Sequence, residues 1–296
     1  MIPLRAMCPA KINLALHVAG RRPDGFHEIV TLFQAIDLWD ALDGESADAL
    51  TLTVSGSVID AGESNLVLRA ARLLKERVEA ARSRGARLRL EKAIPVGAGL
   101  GGGSSNAAGA LKLLNALWAL GLGDSDLARF AAELGSDVPY FLVGGTALGT
   151  GRGEKIESLP AMRARPLVLA SPPFGLSTPE VYRRLGAPLT VAKADVTVPR
   201  LFLKFAEGND FAAATNDLEA AVFEMCAELS VFRDALSESG AESALVSGSG
   251  STVFGLFRAG TDVTPIVSDL RGRFPGWSFL ASRTVASGVR IVPAVE

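Results

Sequence analysis

Residues 95–108 read Pro95-Val96-Gly97-Ala98-Gly99-Leu100-Gly101-Gly102-Gly103-Ser104-Ser105-Asn106-Ala107-Ala108, with five glycines in the stretch. Glycine gives the backbone φ angles and close approaches that a Cβ forbids, so this loop is built for something to come near its main chain. Ser104, Ser105 and Asn106 are good N-cap residues, and the run Ala107–Leu120 that follows has apolar residues at helical spacing. A flexible loop therefore feeds a helix N-terminus, which gathers unpaired N–H groups and the positive end of a helix dipole at one point. The natural guest is a phosphate. A plain turn would explain the loop less well, because each glycine whose freedom is not needed costs ~1 kcal/mol relative to alanine.

Two common phosphate-loop patterns fit poorly. Gly97, Gly99 and Gly102 spell a literal G-x-G-x-x-G, but a dinucleotide-binding strand is buried on both faces. Here the preceding strand, Arg87-Leu88-Arg89-Leu90-Glu91, alternates charged with apolar residues, and Pro95 interrupts the approach. Asp124 and Asp126 lie at about the distance of the ribose-binding acid yet sit between two helical patterns. A nicotinamide dehydrogenase is thus disfavoured. A Walker loop is disfavoured too, since Ser104 and Ser105 stand where G-K-[ST] needs lysine.

The chain has 296 residues, 48% of them hydrophobic, and a net charge of −2. That length suggests two domains with substantial cores, and the balanced charge gives no reason to expect nucleic acid or an anionic membrane as partner. Cys8 and Cys226 are the only cysteines, too few for a disulfide framework and without metal-site spacing. His17 and His27 are the only histidines, so no zinc cluster is visible and no metal-ligating side chain is singled out. With no signal-like start and no apolar run near ~18 residues, a cytoplasmic location is expected.

Working outward from the loop, Met7–Val18 reads as a strand that places Lys11 and Asn13 on one face. The bland explanation for the pair is the wet face of an edge strand. The turn signals of Arg22-Pro23-Asp24-Gly25 present Phe26 and His27 at the entry to a strand over Ile29–Leu38. Asn65–Ala81 is an amphipathic helix. After a helix ending near Leu134-Gly135 comes Ser136-Asp137-Val138-Pro139, in which Asp137 is either a helix cap or a functional carboxylate. The glycine cluster Gly144–Gly153 marks an expected domain edge, giving domains 1–155 and 156–296. In the second half, Pro166–Ser171 reads as a strand and Ser177-Thr178-Pro179-Glu180 as the cap of a helix through Leu185. Helices are expected over Leu201–Glu207, Asn216–Glu228, Val231–Glu238 and Val263–Phe274, with strands over Ala244–Ser247, Thr252–Phe257 and Trp277–Ala286. Gly248-Ser249-Gly250-Ser251 joins two of those strands as a hairpin turn or a second functional loop. The alternation is α+β.

Taken in order, Pro9-Ala10-Lys11-Ile12-Asn13-Leu14, Arg22-Pro23-Asp24-Gly25-Phe26-His27, the 95–108 loop, Gly135-Ser136-Asp137-Val138-Pro139 and Gly248-Ser249-Gly250 resemble the galacto-, homoserine, mevalonate and phosphomevalonate (GHMP) kinase superfamily. The likeness extends to Asn65-Leu66, Gly151-Arg152-Gly153-Glu154, Ser177-Thr178-Pro179 and Asn216-Asp217-Leu218-Glu219. It implies an N-terminal nucleotide-binding α+β domain, a C-terminal ferredoxin-like α+β domain and an active site in the cleft between them. The triple glycine with Ser-Ser-Asn-Ala-Ala resembles the branch that phosphorylates a cytidine diphosphate alcohol in isoprenoid precursor synthesis. By that resemblance Lys11 and Asp137 are catalytic, and Pro95 through Ser105, with Asn65 and Lys92, bind ATP. Asn13, Phe26, His27, Thr178, Gly248, Ser249 and Gly250 bind the acceptor, and Mg²⁺ bridges the ATP phosphates with Ser104 or Ser105 near them. Phe26 departs from the family's usual tyrosine, leaving a ring to stack on a base without the phenol's hydrogen bond. Other readings are a GHMP-type kinase of a mevalonate-like alcohol and a non-catalytic nucleotide-binding protein. The expected assembly is a monomer or homodimer.

Overall fold

The computed structural model describes residues 3–186, 211 and 214–294, and the helix expected over Leu201–Glu207 lies outside them. Alternating apolar residues build two long antiparallel strands, β1 (Leu4–Arg21) and β2 (His27–Ala47), joined across the Pro23-Asp24-Gly25 turn. A register shift between Pro9 and Ala10 reverses which side of β1 its even residues face. Ala6 and Cys8 pack with the helices, whereas Ala10, Ile12 and Leu14 pack into the other core. Such bulges re-aim side chains, and this one turns Lys11 and Asn13 toward the helical side.

Among the described residues the first sheet has seven strands. β3 (Leu50–Ser55), β4 (Gly85–Glu91), β5 (Thr146–Thr150), β6 (Lys155–Ser158) and β11 (Arg290–Pro293) complete it around β1 and β2. β4 alternates buried leucine with exposed arginine, as its sequence predicts. The expected domain edge at 155 falls inside the β5–β6 hairpin, and β11, which the sequence reading left unassigned, returns to pair with β1. Helices α1 (Leu66–Arg77), α2 (Gly102–Leu117), α3 (Asp124–Leu134) and α4 (Val138–Val143) cover one face over a core that includes Leu74, Leu88, Leu111 and Phe141.

The second sheet contains β7 (Pro166–Ser171), β8 (Ser243–Val246), β9 (Val253–Leu256) and β10 (Ser278–Arg283), in the antiparallel order β10-β7-β9-β8. Helices α5 (Thr178–Leu185), α6 (Glu219–Met225) and α7 (Glu228–Glu238) lie in sequence between β7 and β8, and α8 (Thr264–Arg273) between β9 and β10. That order is the ferredoxin-like arrangement expected from the resemblance. β7 is buried on both faces: Leu167 and Leu169 meet Ile12, Leu14 and Leu32 of the first sheet, while Val168 and Ala170 meet the outer helices. Each fully buried leucine contributes roughly 1.5–3 kcal/mol, so this shared layer holds the two sheets together and fixes the cleft at their margin.

Several helix boundaries differ from expectation: α1 ends at Arg77, with a separate 3-10 turn over Glu79–Ala81, and α7 starts at Glu228, before the expected Val231. α2 starts at Gly102 behind an N-cap at Gly101 with φ +71°, so Ser104, Ser105 and Asn106 lie inside the helix and do not cap it. The helix expected over Asn216–Glu228 is shorter, ending at Met225, because Cys226 turns to an extended conformation before α7 begins.

Candidate active site

The glycine loop descends from β4 into α2 beside β1. Gly101 takes a left-handed backbone, and a Cβ there would stand 2.6 Å from the Phe141 ring and 3.1 Å from Lys11 Cγ. Glycine is thus required by close packing of the loop on the residues around Lys11. Gly103 is the opposite case. Its nearest neighbour would be Leu66 Cδ1 at 3.5 Å, an ordinary contact, and it carries no positive φ. Protein packing does not explain a glycine there, and an exposed backbone at the first turn of a helix is a cradle that a Cβ would partly fill. Across the loop, Thr252 N donates to Ala98 O at 3.1 Å and Ser247 Oγ to Gly99 O at 2.9 Å, which ties the loop to the second sheet.

Lys11 is 4% exposed and Asn13 2%, so the wet-face explanation of the pair fails: the bulge turns both inward. Lys11 Nζ donates to Asn13 Oδ1 at 2.6 Å, Asn13 Nδ2 to Thr31 Oγ1 at 2.7 Å, and Thr31 Oγ1 to Ala15 O at 2.8 Å. Lys11 Nζ also lies 3.5 Å from Asp137 Oδ2, an ion pair. Burial pushes the ammonium below the usual lysine range, and the Asp137 charge opposes that shift. Asp137 occupies the N-cap position of α4 but its side chain makes no capping hydrogen bond. Its carboxylate is free to face the cleft.

A cavity of about 940 Å³ opens here, at the upper end of the ~300–1,000 Å³ of ligand pockets. Contacts along its wall run from one end to the other. The Arg152 guanidinium sits 4.6 Å from the centre of the Phe26 ring, and His27 stacks on Tyr182 at 4.8 Å. A Cβ on Gly153 would lie 3.8 Å from Asp137 Oδ1, and Asp137 faces Lys11. Lys11 touches Gly101, Gly102 approaches Lys92, and Gly103 approaches Leu66. The aromatic and imidazole groups are therefore at one end, the glycine cradle at the other, and the Lys11–Asp137 pair stands between them. Burial and the nearby Arg21 charge hold the His27 imidazole below its ordinary pKa.

Most of the residues singled out by sequence line this cavity: Lys11, Asn13, Phe26, His27, Asn65, Lys92, Pro95–Gly99, Gly101–Ser104, Asp137, Thr178, Gly248 and Ser249. Leu100, Ser105 and Gly250 are not among the lining residues. Leu100 is a core side chain whose carbonyl accepts from Lys11 N at 3.0 Å. The Ser105 hydroxyl is fully buried on the far side of the first helical turn, with no hydrogen-bond partner among the described residues. Ser104 is thus the serine that faces the cleft. Gly250 backs onto Gly99. Asn65 has a second task, since its Oδ1 accepts from Val67 N at 3.0 Å and caps α1.

Sequence reasoning missed Tyr182, which lies one helical turn after Thr178 on α5 and so shares its face. It also missed Asp40. That carboxylate is fully buried, pairs with Lys92, accepts from Asn106 Nδ2 at 2.9 Å and receives Ala93 N at 2.7 Å and Ile94 N at 2.9 Å. It fastens β2 to the start of the glycine loop, and with Asp37 and Asp43 on the same strand nothing in the sequence singled it out.

Comparison with known proteins fits this geometry. Residues 65–145 match the family model described as GHMP kinases N terminal domain, and residues 202–276 match GHMP kinases C terminal. A relative from Pelotomaculum thermopropionicum is 46% identical over 256 residues, covering 86% of this chain and 88% of its own. The chain belongs to the GHMP kinases. The Pelotomaculum relative is named 4-diphosphocytidyl-2-C-methyl-D-erythritol kinase, as is one from Listeria monocytogenes that is 40% identical, with 89% of this chain and 91% of its own covered. A crystal structure of 4-(cytidine 5'-diphospho)-2C-methyl-D-erythritol kinase superposes on this GHMP kinase with a TM-score of 0.77 at 35% identity, over 95% of this chain and 98% of that one. A homoserine kinase from Cytophaga hutchinsonii also reaches 0.77, at 20% identity over 99% of this chain and 98% of its own, and shares the fold. Among the described residues no helix is long and apolar enough to cross a membrane.

Proposed function

We propose that this chain transfers the γ-phosphoryl group of ATP to the 2-hydroxyl of 4-diphosphocytidyl-2-C-methyl-D-erythritol, a step of non-mevalonate isoprenoid precursor synthesis in the cytoplasm. The observation that carries the reading is the Lys11–Asp137 ion pair at 3.5 Å, set between a glycine cradle and an aromatic, imidazole-bearing pocket in one cavity. The names of the relatives and of the 35% identical solved structure supply the acceptor.

In this account the N–H groups of residues 97–104 and the N-terminus of α2 receive the ATP phosphates. Asn65 and Lys92 line the nucleotide end. The acceptor's hydroxyl oxygen attacks the γ-phosphorus, the bond to the ADP oxygen breaks, and the hydroxyl proton passes to Asp137. Lys11 stabilises negative charge on the attacking oxygen and the moving phosphoryl group. Its hydrogen bond to Asn13 fixes where the ammonium points. At the other end, the Phe26 and Tyr182 rings and the His27 imidazole suit a planar, hydrogen-bonding base. Thr178, Gly248 and Ser249 border the sugar-alcohol portion, with Thr178 Oγ1 and Ser249 Oγ 2.7 Å apart.

Magnesium bound on the ATP phosphates would neutralise part of their charge. Ser104 and Asp137 are among the oxygen-bearing residues that line the cavity and would be side chains offered to such a cation.

Product formation with Mg-ATP and four acceptors tests the reading: the cytidine diphosphate alcohol, the same alcohol phosphate without its cytidine, homoserine and mevalonate. Turnover confined to the first is expected. Equal turnover without the cytidine, or preference for homoserine or mevalonate, would overturn the substrate.

A further inference from the structure

The four residues Asn216-Asp217-Leu218-Glu219 lie outside the cavity, yet every side chain among them is committed. Asn216, 5% exposed, donates through Nδ2 to Val246 O at 2.9 Å and Gly248 O at 2.8 Å, while its Oδ1 accepts from Leu218 N at 3.0 Å. Asp217 Oδ2 accepts from Val18 N at 2.9 Å and lies 2.7 Å from His17 Nδ1. Asp217 N donates to Leu16 O at 3.0 Å and Leu16 N to Thr215 O at 2.8 Å, forming a parallel bridge between Leu16 and Asn216. Glu219 Oε1 accepts from Val246 N at 2.8 Å, and Leu218 is fully buried.

One half of this turn grips β1, the strand that carries Lys11 and Asn13. The other half grips the end of β8 and the Gly248 carbonyl. A Cβ on Gly248, whose φ is +57°, would stand 3.2 Å from Asn13 Oδ1 and 3.3 Å from Lys11 Nζ. The loop is thus laid directly over the catalytic lysine.

We propose that Asn216 and Asp217 are positioning residues: a clasp that sets the Gly248–Ser249 loop against Lys11 and Asn13, and with it the acceptor's hydroxyl against Asp137. This rests on the proposed kinase reading of the site. Neither residue lines the cavity. Displacing a reacting group by ~1 Å can cost about a hundredfold in rate, so loosening the clasp acts on turnover more than on nucleotide affinity.

The test uses the full chain with Asn216→Asp, which turns the amide donor into an oxygen facing two carbonyls, and with Asp217→Ala and Asp217→Asn, the last of which keeps an acceptor for Val18 N. Asn216→Asp and Asp217→Ala are expected to fold with kcat reduced roughly tenfold to a hundredfold and ATP-analogue Kd changed less than about threefold, and Asp217→Asn to recover kcat to within about threefold of the parent. Unchanged kcat in either folded variant, an equal loss in Asp217→Asn and Asp217→Ala, or a Kd loss as large as the kcat loss would overturn the clasp. So would failure of both Asn216→Asp and Asp217→Ala to fold. If only Asn216→Asp fails to fold, the Asp217 pair decides. Parent protein that binds nucleotide but leaves the cytidine acceptor untouched would instead sink the kinase reading. Hydrogen exchange over residues 246–250 then reads the clasp alone, rising in Asn216→Asp if it is right and unchanged if it is wrong.

Discussion

Lys11 holds an ammonium at 4% exposure because Asn13 accepts from it at 2.6 Å and Asp137 lies 3.5 Å away. Burial penalises the charge and the carboxylate restores part of it, so the two residues act as a unit. Asp137→Ala is expected to lower kcat by about 10²–10⁴, the usual worth of general acid–base catalysis. No capping contribution to stability is lost, because the side chain makes no capping hydrogen bond, but Lys11 loses its counter-charge, so unfolding free energy is expected to fall by about 1–3 kcal/mol. Steady-state kinetics beside urea unfolding separates the two effects, and a large stability loss with intact kcat would return Asp137 to a structural role. His27 supplies a pH prediction. Its pKa is lowered by burial and by Arg21, so the neutral ring persists to lower pH than a free imidazole, whose pKa is ≈ 6.5. The acceptor KM is therefore expected to be level from about pH 7 to 8 and to rise only at a pH below the ordinary imidazole range, as protonation sets in, with ATP KM unchanged. His27→Gln is expected to remove that rise; a KM that climbs already above pH 7 would contradict it.

In the proposed reading the glycine loop with α2 is the element on which phosphate binding turns, and Gly103 isolates that role from packing. A methyl group there meets only Leu66 at 3.5 Å, and alanine in a helix is favoured over glycine by up to ~1 kcal/mol. Gly103→Ala is thus expected to keep or raise Tm while raising ATP KM at least about fivefold, since the new methyl enters the cradle. A variant with unchanged ATP KM would show that the phosphates lie elsewhere. This loop was legible in sequence because its composition has no cheap structural explanation, and the Lys11–Asn13 face was legible from strand alternation. The helix start was misplaced because Gly101, not a serine, takes the N-cap, a choice made by contact with Phe141 and Lys11 across the fold. Tyr182 and Asp40 were not legible for a related reason: each acquires its meaning from a partner distant in sequence, His27 for one and Lys92 with Asn106 for the other.

At the scale of the molecule, two sheets share an apolar layer in which β7 is buried on both faces, and the cleft lies at the margin of that layer. The α+β alternation in the sequence predicts the layers, and the ferredoxin-like order of the second sheet is found as expected. The return of β11 to the first sheet was hidden, because a four-residue strand gains its stability from the edge it joins. The design holds the nucleotide loop on one sheet and the Gly248 loop on the other, with hydrogen bonds from Ser247 and Thr252 crossing between them. In the proposed reaction, transfer is thereby confined to a place where both ligands meet the Lys11–Asp137 pair. Single-turnover transfer of labelled γ-phosphate from Mg-ATP, followed in the parent protein and in Asp137→Ala with nucleotide occupancy matched, tests this most directly. The account predicts label on the 2-hydroxyl of the cytidine diphosphate alcohol within one turnover, and transfer at least about a hundredfold slower in the variant. Label released as inorganic phosphate, or transfer at the same rate without the Asp137 carboxylate, would contradict it.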